Sequence, residues 1–116
     1  MKNSSISNKE RLVHILEAIN LIEEFTNNLT KQSFLNDKVI QSAVLFQFSI
    51  IGEAIVQIDS GVLEKYDYPW LYVRSFRNFI LHEYHAIEIW VVWETIIYNL
   101  PEIKHRVQNI LKQEFN

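Results

Sequence analysis

Cysteine is absent from the 116 residues, which removes disulfides, cysteine-based zinc sites and thiol nucleophiles and agrees with a reducing compartment. Glycine and proline occur only twice each. Sandwiches and barrels need turn residues roughly every eight to twelve positions, so this scarcity argues against an all-β fold and for helices. Neither sign of charge dominates: 11 Lys and Arg against 14 Asp and Glu leave a net charge of −3. A field of that size recruits no nucleic acid over the whole surface, and contact with RNA requires a local basic patch. No stretch approaches the ~20 uninterrupted apolar residues of a membrane span. The N-terminal MKNSSISNKER has no apolar signal core either. The expectation is a soluble, cytoplasmic protein without a membrane segment.

What the chain does have is apolar material, 48% of residues with 13% aromatic, enough for one buried core. A single domain over 1–116 follows. Ser7-Asn8-Lys9-Glu10 reads as a capping box that starts a helix. Leu12, Ile15, Leu16, Ile19, Ile22, Phe25 and Leu29 then recur at helical spacing and predict one apolar stripe to about Leu29. After a connector or a single turn over 30–35, Asn36-Asp37 caps a second long helix that carries Val39, Ile40, Ala43, Val44, Phe46, Ile50, Ile51, Ala54, Ile55 and Ile58. With so little polar face, that helix is either central in a bundle or buried a second time against a partner subunit. Asp59-Ser60-Gly61 supplies a stop, and Pro69 opens a third helix over about 70–98. A break at Asn99-Leu100-Pro101 precedes a last amphipathic helix. The predicted fold is all-α: a single-domain, antiparallel-type bundle of four long helices joined by short turns.

The third helix contains RSFRNFILHEYH at 74–85. At roughly 100° per residue, Phe76, Phe79, Ile80, Ile87, Trp90 and Val91 share the side expected to face the core. Arg74, Arg77, Asn78, His82, Tyr84, His85 and Glu88 gather in an opposite arc of roughly 160°. Leu81 lies in the polar arc and Glu83 in the apolar one. Either the helix bends near 81–84 or a second subunit covers part of the polar face, and both partly desolvate the patch.

Three readings of that face compete. Solubility alone produces an exposed helix face of Arg, Asn, His and Glu. A metal site would use His82, His85 and Glu88, but H-E-Y-H sets the histidines three apart where metalloprotease helices set them four apart in H-E-x-x-H. Metal-free RNA cleavage uses the residues better. There the ribose 2′-OH attacks the adjacent phosphate, and the site needs a group titrating near neutrality and a fixed cation. His82 suits the first task and Arg77 the second. Asn78 could orient the imidazole or hold a phosphate oxygen, Arg74 could extend the electrostatic track, and Tyr84 could stack a base or receive a modification. Two copies about a two-fold axis would turn the shallow face of one helix into a cleft with paired Arg77 and His82. His14 and His105 stand alone on other helices and read as structural or solvated.

The motif Arg77-x4-His82-x-Tyr84 with its Arg-Asn dipeptide resembles the HEPN superfamily, specifically its HepT-like toxins. Ile51-Gly52-Glu53-Ala54, Tyr68-Pro69-Trp70, Val92-Trp93-Glu94-Thr95-Ile96 and Leu100-Pro101 resemble the flanking segments of that family, so the likeness covers nearly the whole chain. The resemblance implies a homodimeric helical bundle and a metal-independent endoribonuclease that needs no cofactor, with Arg77 and His82 of both subunits at the dimer cleft. It further implies a minimal nucleotidyltransferase antitoxin that transfers AMP to Tyr84, where bulk and negative charge would repel RNA. Arg74 and His85 lie outside the core motif, and Glu53 is assigned no catalytic role. A second function remains open: a non-catalytic subunit that docks to a nucleotidyltransferase and uses Arg74 and Arg77 to bind a nucleotide phosphate. A bundle serving only as an assembly module is a third.

Overall fold

The computed structural model describes residues 6–70, 73 and 88–115. Among them every regular element is helical. Helix α1, Asn8–Thr26, begins at the expected capping box: the Ser7 hydroxyl accepts from the Glu10 N–H at 3.1 Å, and the Ser7 N–H donates to Glu10 Oε1 at 3.0 Å. Leu12, Ile15, Ala18, Ile19 and Ile22 form its buried stripe. The connector becomes a short helix, α2, Lys31–Leu35, capped by Thr30 and Ser33. Helix α3, Lys38–Gln57, starts at Asp37, whose carboxylate accepts from the Ile40 N–H at 3.0 Å.

The main seam joins α1 and α3. Its α3 side is Val44, Phe48, Ile51, Ala54 and Ile55. The two helices run antiparallel, because the Asn8 side chain at the start of α1 bonds both the carboxylate and the backbone N–H of Asp59, just past the end of α3. Each fully buried Ile or Leu in this seam contributes about 1.5–3 kcal/mol relative to exposure. The rest of α3 is not central: Val39 is 78% exposed and Phe46 62%. In this chain, then, α3 has one buried apolar face and one open one. Lys38–Gln57 is also long and apolar enough to cross a membrane by length and composition, with a mean hydropathy of 1.7, although Gln41, Gln47 and Glu53 interrupt it.

Three sequence expectations change. Gly61 does not close α3 through a left-handed conformation, since no glycine among the described residues has positive φ. Instead α3 ends at Ile58, which turns extended, and Gly61 lies inside a single-turn helix, α4, Ser60–Leu63. Second, the helix expected over 70–98 is not continuous. Glu88 is extended, with φ −89° and ψ 109°, and serves as the N-cap of a new helix, α5, Ile89–Glu94. In α5 and the turn after it, Trp90 and Val91 are exposed instead of facing the core, and Val92 and Ile96 are buried in their place.

Third, Asn99-Leu100-Pro101 is not a break. The chain passes from α5 through a wide π-helical turn, Thr95–Asn99, directly into helix α6, Leu100–Phe115. Pro101 has no N–H to donate, and its ring crowds the carbonyl four residues back. The wide turn, in which the Leu100 N–H reaches the Thr95 carbonyl five residues back, makes room for it. Leu100, Ile103, Val107 and Ile110 of α6 are buried, and Lys104 pairs with Glu23 of α1 at 2.9 Å. Ile55→Ala should cost about 2–5 kcal/mol, read as a lower urea midpoint at unchanged slope, because it empties the centre of the α1–α3 seam.

Candidate functional site

The candidate site residues Arg74, Arg77, Asn78, His82 and Tyr84, with His85, lie outside the described residues. What the structure defines is the frame from which residues 74–87 depart and to which they return. On the departing side, residues 64–70 are latched to α6. The Tyr66 phenol donates to Glu114 Oε2 at 2.7 Å and Lys65 donates to Glu114 Oε1 at 3.1 Å. Trp70 is buried, donates its indole N–H to the Tyr66 carbonyl at 3.3 Å, and stands 4.9 Å from the Tyr68 ring. The Arg106 guanidinium lies over that Tyr68 ring at 5.3 Å, a cation–π contact that adds a second tie to α6.

On the returning side, Val92 and Ile96 anchor α5 and the π turn in the core. Trp93 packs on Phe34 of α2 with ring centroids 5.2 Å apart, and Glu94 pairs with Lys31 at 3.7 Å. The segments that resemble the family's flanks therefore have plain structural work: Ile51, Gly52 and Ala54 are buried in α3, and Leu100 is buried at the start of α6. Glu53 accepts from Gln57 Nε2 at 3.0 Å on a partly exposed face. His14 and His105 are exposed, and among the described residues no three His, Asp or Glu side chains gather as a metal site.

Between the two ends of the frame lies a cleft of about 380 Å³. Pro69 and Val73 line it from the departing side and Val91 from the returning side, while Phe48, Ile51 and Ile103 complete an apolar wall. Tyr68, Thr95, Asn99 and Glu102 supply its polar groups. The Thr95 hydroxyl is committed to the Val91 carbonyl at 2.9 Å. The Asn99 carboxamide has no partner among the described residues. Burial raises the Tyr68 phenol above its usual range, Glu102 adds to the shift, and Arg106 opposes it. Asn99 and Glu102 were not read as site residues from sequence, because Asn99-Leu100-Pro101 looked like a helix break. The recoverable signal was the i, i+4, i+7 spacing of Thr95, Asn99 and Glu102, which holds one face only if the helix continues.

The Tyr66 hydrogen bond, helped by Lys65, holds the Glu114 carboxyl below its usual range, and the same bond raises the Tyr66 phenol. A carboxyl whose folded pKa is depressed stabilises the fold above its unfolded value, about 4.3, and that contribution disappears as pH falls through the folded value. Glu114→Gln should therefore lower the urea midpoint at pH 7 and converge with the parent protein at acid pH; equal differences at both pH values would contradict the latch.

The family profile described as "Ribonuclease HepT-like" matches residues 15–110. A protein of Methanocaldococcus jannaschii carrying the name "Putative RNase" is 36% identical over 105 residues, 90% of this chain and 87% of that protein. The "Probable ribonuclease HepT" of Thermococcus cleftensis is 35% identical over 107 residues, 91% of this chain and 97% of that protein. Another M. jannaschii protein, named "Gamma-glutamylcyclotransferase and putative RNase", is 34% identical over 103 residues; the match takes in 88% of this chain but 46% of that protein, about half its length. No solved structure matches the chain.

Proposed function

Because this chain belongs to the HepT-like ribonuclease family, we propose that it is the toxin of a toxin–antitoxin pair, a metal-independent endoribonuclease. The observation that carries the reading is the family match over residues 15–110, which encloses Arg77-x4-His82-x-Tyr84. In the reaction the ribose 2′-oxygen bonds to the neighbouring phosphorus and the 5′-oxygen leaves, so the products are a 2′,3′-cyclic phosphate and a 5′-hydroxyl. His82 exchanges the proton that the 2′-OH loses or the 5′-oxygen gains, a task for which an imidazole is the side chain suited near neutral pH. Arg77 balances the charge that grows on the phosphoryl oxygens, and Asn78 and Arg74 support the phosphate.

The working form in this reading is a cytoplasmic homodimer with Arg77 and His82 of both copies in one cleft. The open apolar face of α3, with Phe46 exposed, and the exposed Trp90 and Tyr98 support a second apolar contact. The partner is a minimal nucleotidyltransferase that moves AMP from a nucleoside triphosphate to the Tyr84 oxygen and releases pyrophosphate. A phosphodiester at that position adds negative charge beside the scissile phosphate and blocks RNA.

Purified protein should cut single-stranded RNA in excess EDTA and leave cyclic phosphate ends. Arg77→Ala and His82→Ala should each lower the rate by about 10²-fold or more while the dimer persists in sedimentation; undiminished cutting by both variants would remove these residues from the chemistry. Co-expression with the neighbouring nucleotidyltransferase should raise the intact mass by one AMP per chain, and Tyr84→Phe should abolish the increment.

A further inference from the structure

We infer that the cleft between Tyr68 and Glu102 is a base-binding subsite for the RNA substrate and that it favours guanine. The inference rests on the nuclease reading for its ligand, but on the described residues for its site. The cleft's volume, about 380 Å³, lies at the small end of the ~300–1,000 Å³ typical of ligand pockets and suits one nucleoside, not a folded RNA. Its apolar wall of Phe48, Ile51 and Ile103 accepts a flat, weakly hydrated base, and the Tyr68 ring, held by Arg106 and Trp70, borders it.

Among the described residues, Thr95, Asn99 and Glu102 bring the polar groups of one helical face to the cleft. Glu102 presents a carboxylate, acceptor-only when ionised, which the Tyr68 phenol already engages and which has room for further donors. Arg106 lies 3.9 Å from its Oε2 and keeps the charge from standing alone. Asn99, about one helical turn earlier, offers a carboxamide with no partner among the described residues. Guanine matches this pair: adjacent N1–H and N2–H donors for the Glu102 carboxylate, and O6 for the Asn99 N–H. Uracil has one donor between two carbonyl oxygens, so one of its oxygens would face the carboxylate. Repulsion of that kind discriminates as strongly as a good contact attracts.

Val73 and Val91 both line the cleft, and the motif that carries Arg77 and His82 lies between them in the sequence, which links the cleft to the proposed cutting centre. Carboxylates are poor neighbours for a phosphate backbone, and a base edge is the part of RNA that Glu102 can take.

The test uses the His82→Ala protein, in which binding is separated from cutting, with 5′-GMP, 5′-UMP and a single-stranded oligonucleotide as probes. GMP should bind at least about tenfold more tightly than UMP, and Glu102→Gln or Asn99→Leu should erase most of that ratio, as for a bidentate base contact. GMP should also displace the oligonucleotide. Circular dichroism melting checks that both variants fold. Equal binding of GMP and UMP, a ratio unchanged by both variants, or GMP binding that leaves the oligonucleotide in place would each overturn the subsite. Absence of RNA cutting by the parent protein bears on the nuclease reading alone, since the binding measurements do not depend on it.

Discussion

The antiparallel seam between α1 and α3 is the contact on which the rest of the molecule depends. Ile15, Ile19 and Ile22 from one side and Phe48, Ile51 and Ile55 from the other are all buried there. The remaining elements are placed by reference to it: α6 lies against α1, and α2 against α3 and α5. With two glycines in the chain and no disulfide, helix–helix packing is the source of rigidity, and the loops are held by side chains. The latch of Tyr66 and Lys65 on Glu114 is the clearest case.

That seam also explains why α3 is more apolar than its burial requires. One face closes against α1, and the residues opposite, Val39 and Phe46, are left open. A helix of this kind loses little by meeting a second apolar surface, and the exposed Trp90, Ile97 and Tyr98 extend the apolar character onto the helix that follows the motif. Fold and proposed assembly thus use the same element for different contacts.

The return of the chain at Glu88 is the second structural decision. An extended residue there starts α5, and the π turn before Pro101 carries the chain without a break into α6. One result is that Thr95, Asn99 and Glu102 share a cleft with Tyr68 and Val73. Wide turns of this kind cost hydrogen-bond quality and recur where a side chain must be re-aimed.

The sequence by itself determined the helical class, the capping box at Ser7, the buried stripes of α1 and α6, and the order of motif and flanks. These depend on local chemistry: a hydroxyl three residues before a glutamate, or apolar residues at three- and four-residue spacing, act within one helix and need no knowledge of its neighbours. The stop expected at Asp59-Ser60-Gly61 came where it was read, but through an extended Ile58 and not a left-handed glycine, while the break expected at Asn99-Leu100-Pro101 did not form. Only tertiary structure decided that Trp90 and Val91 face outward, that Pro101 sits inside a helix, and that Asn99 and Glu102 join Tyr68 around one cleft. Each depends on where a distant surface lies, since the phase of a helix after an extended residue is set by what it packs against and not by its own sequence.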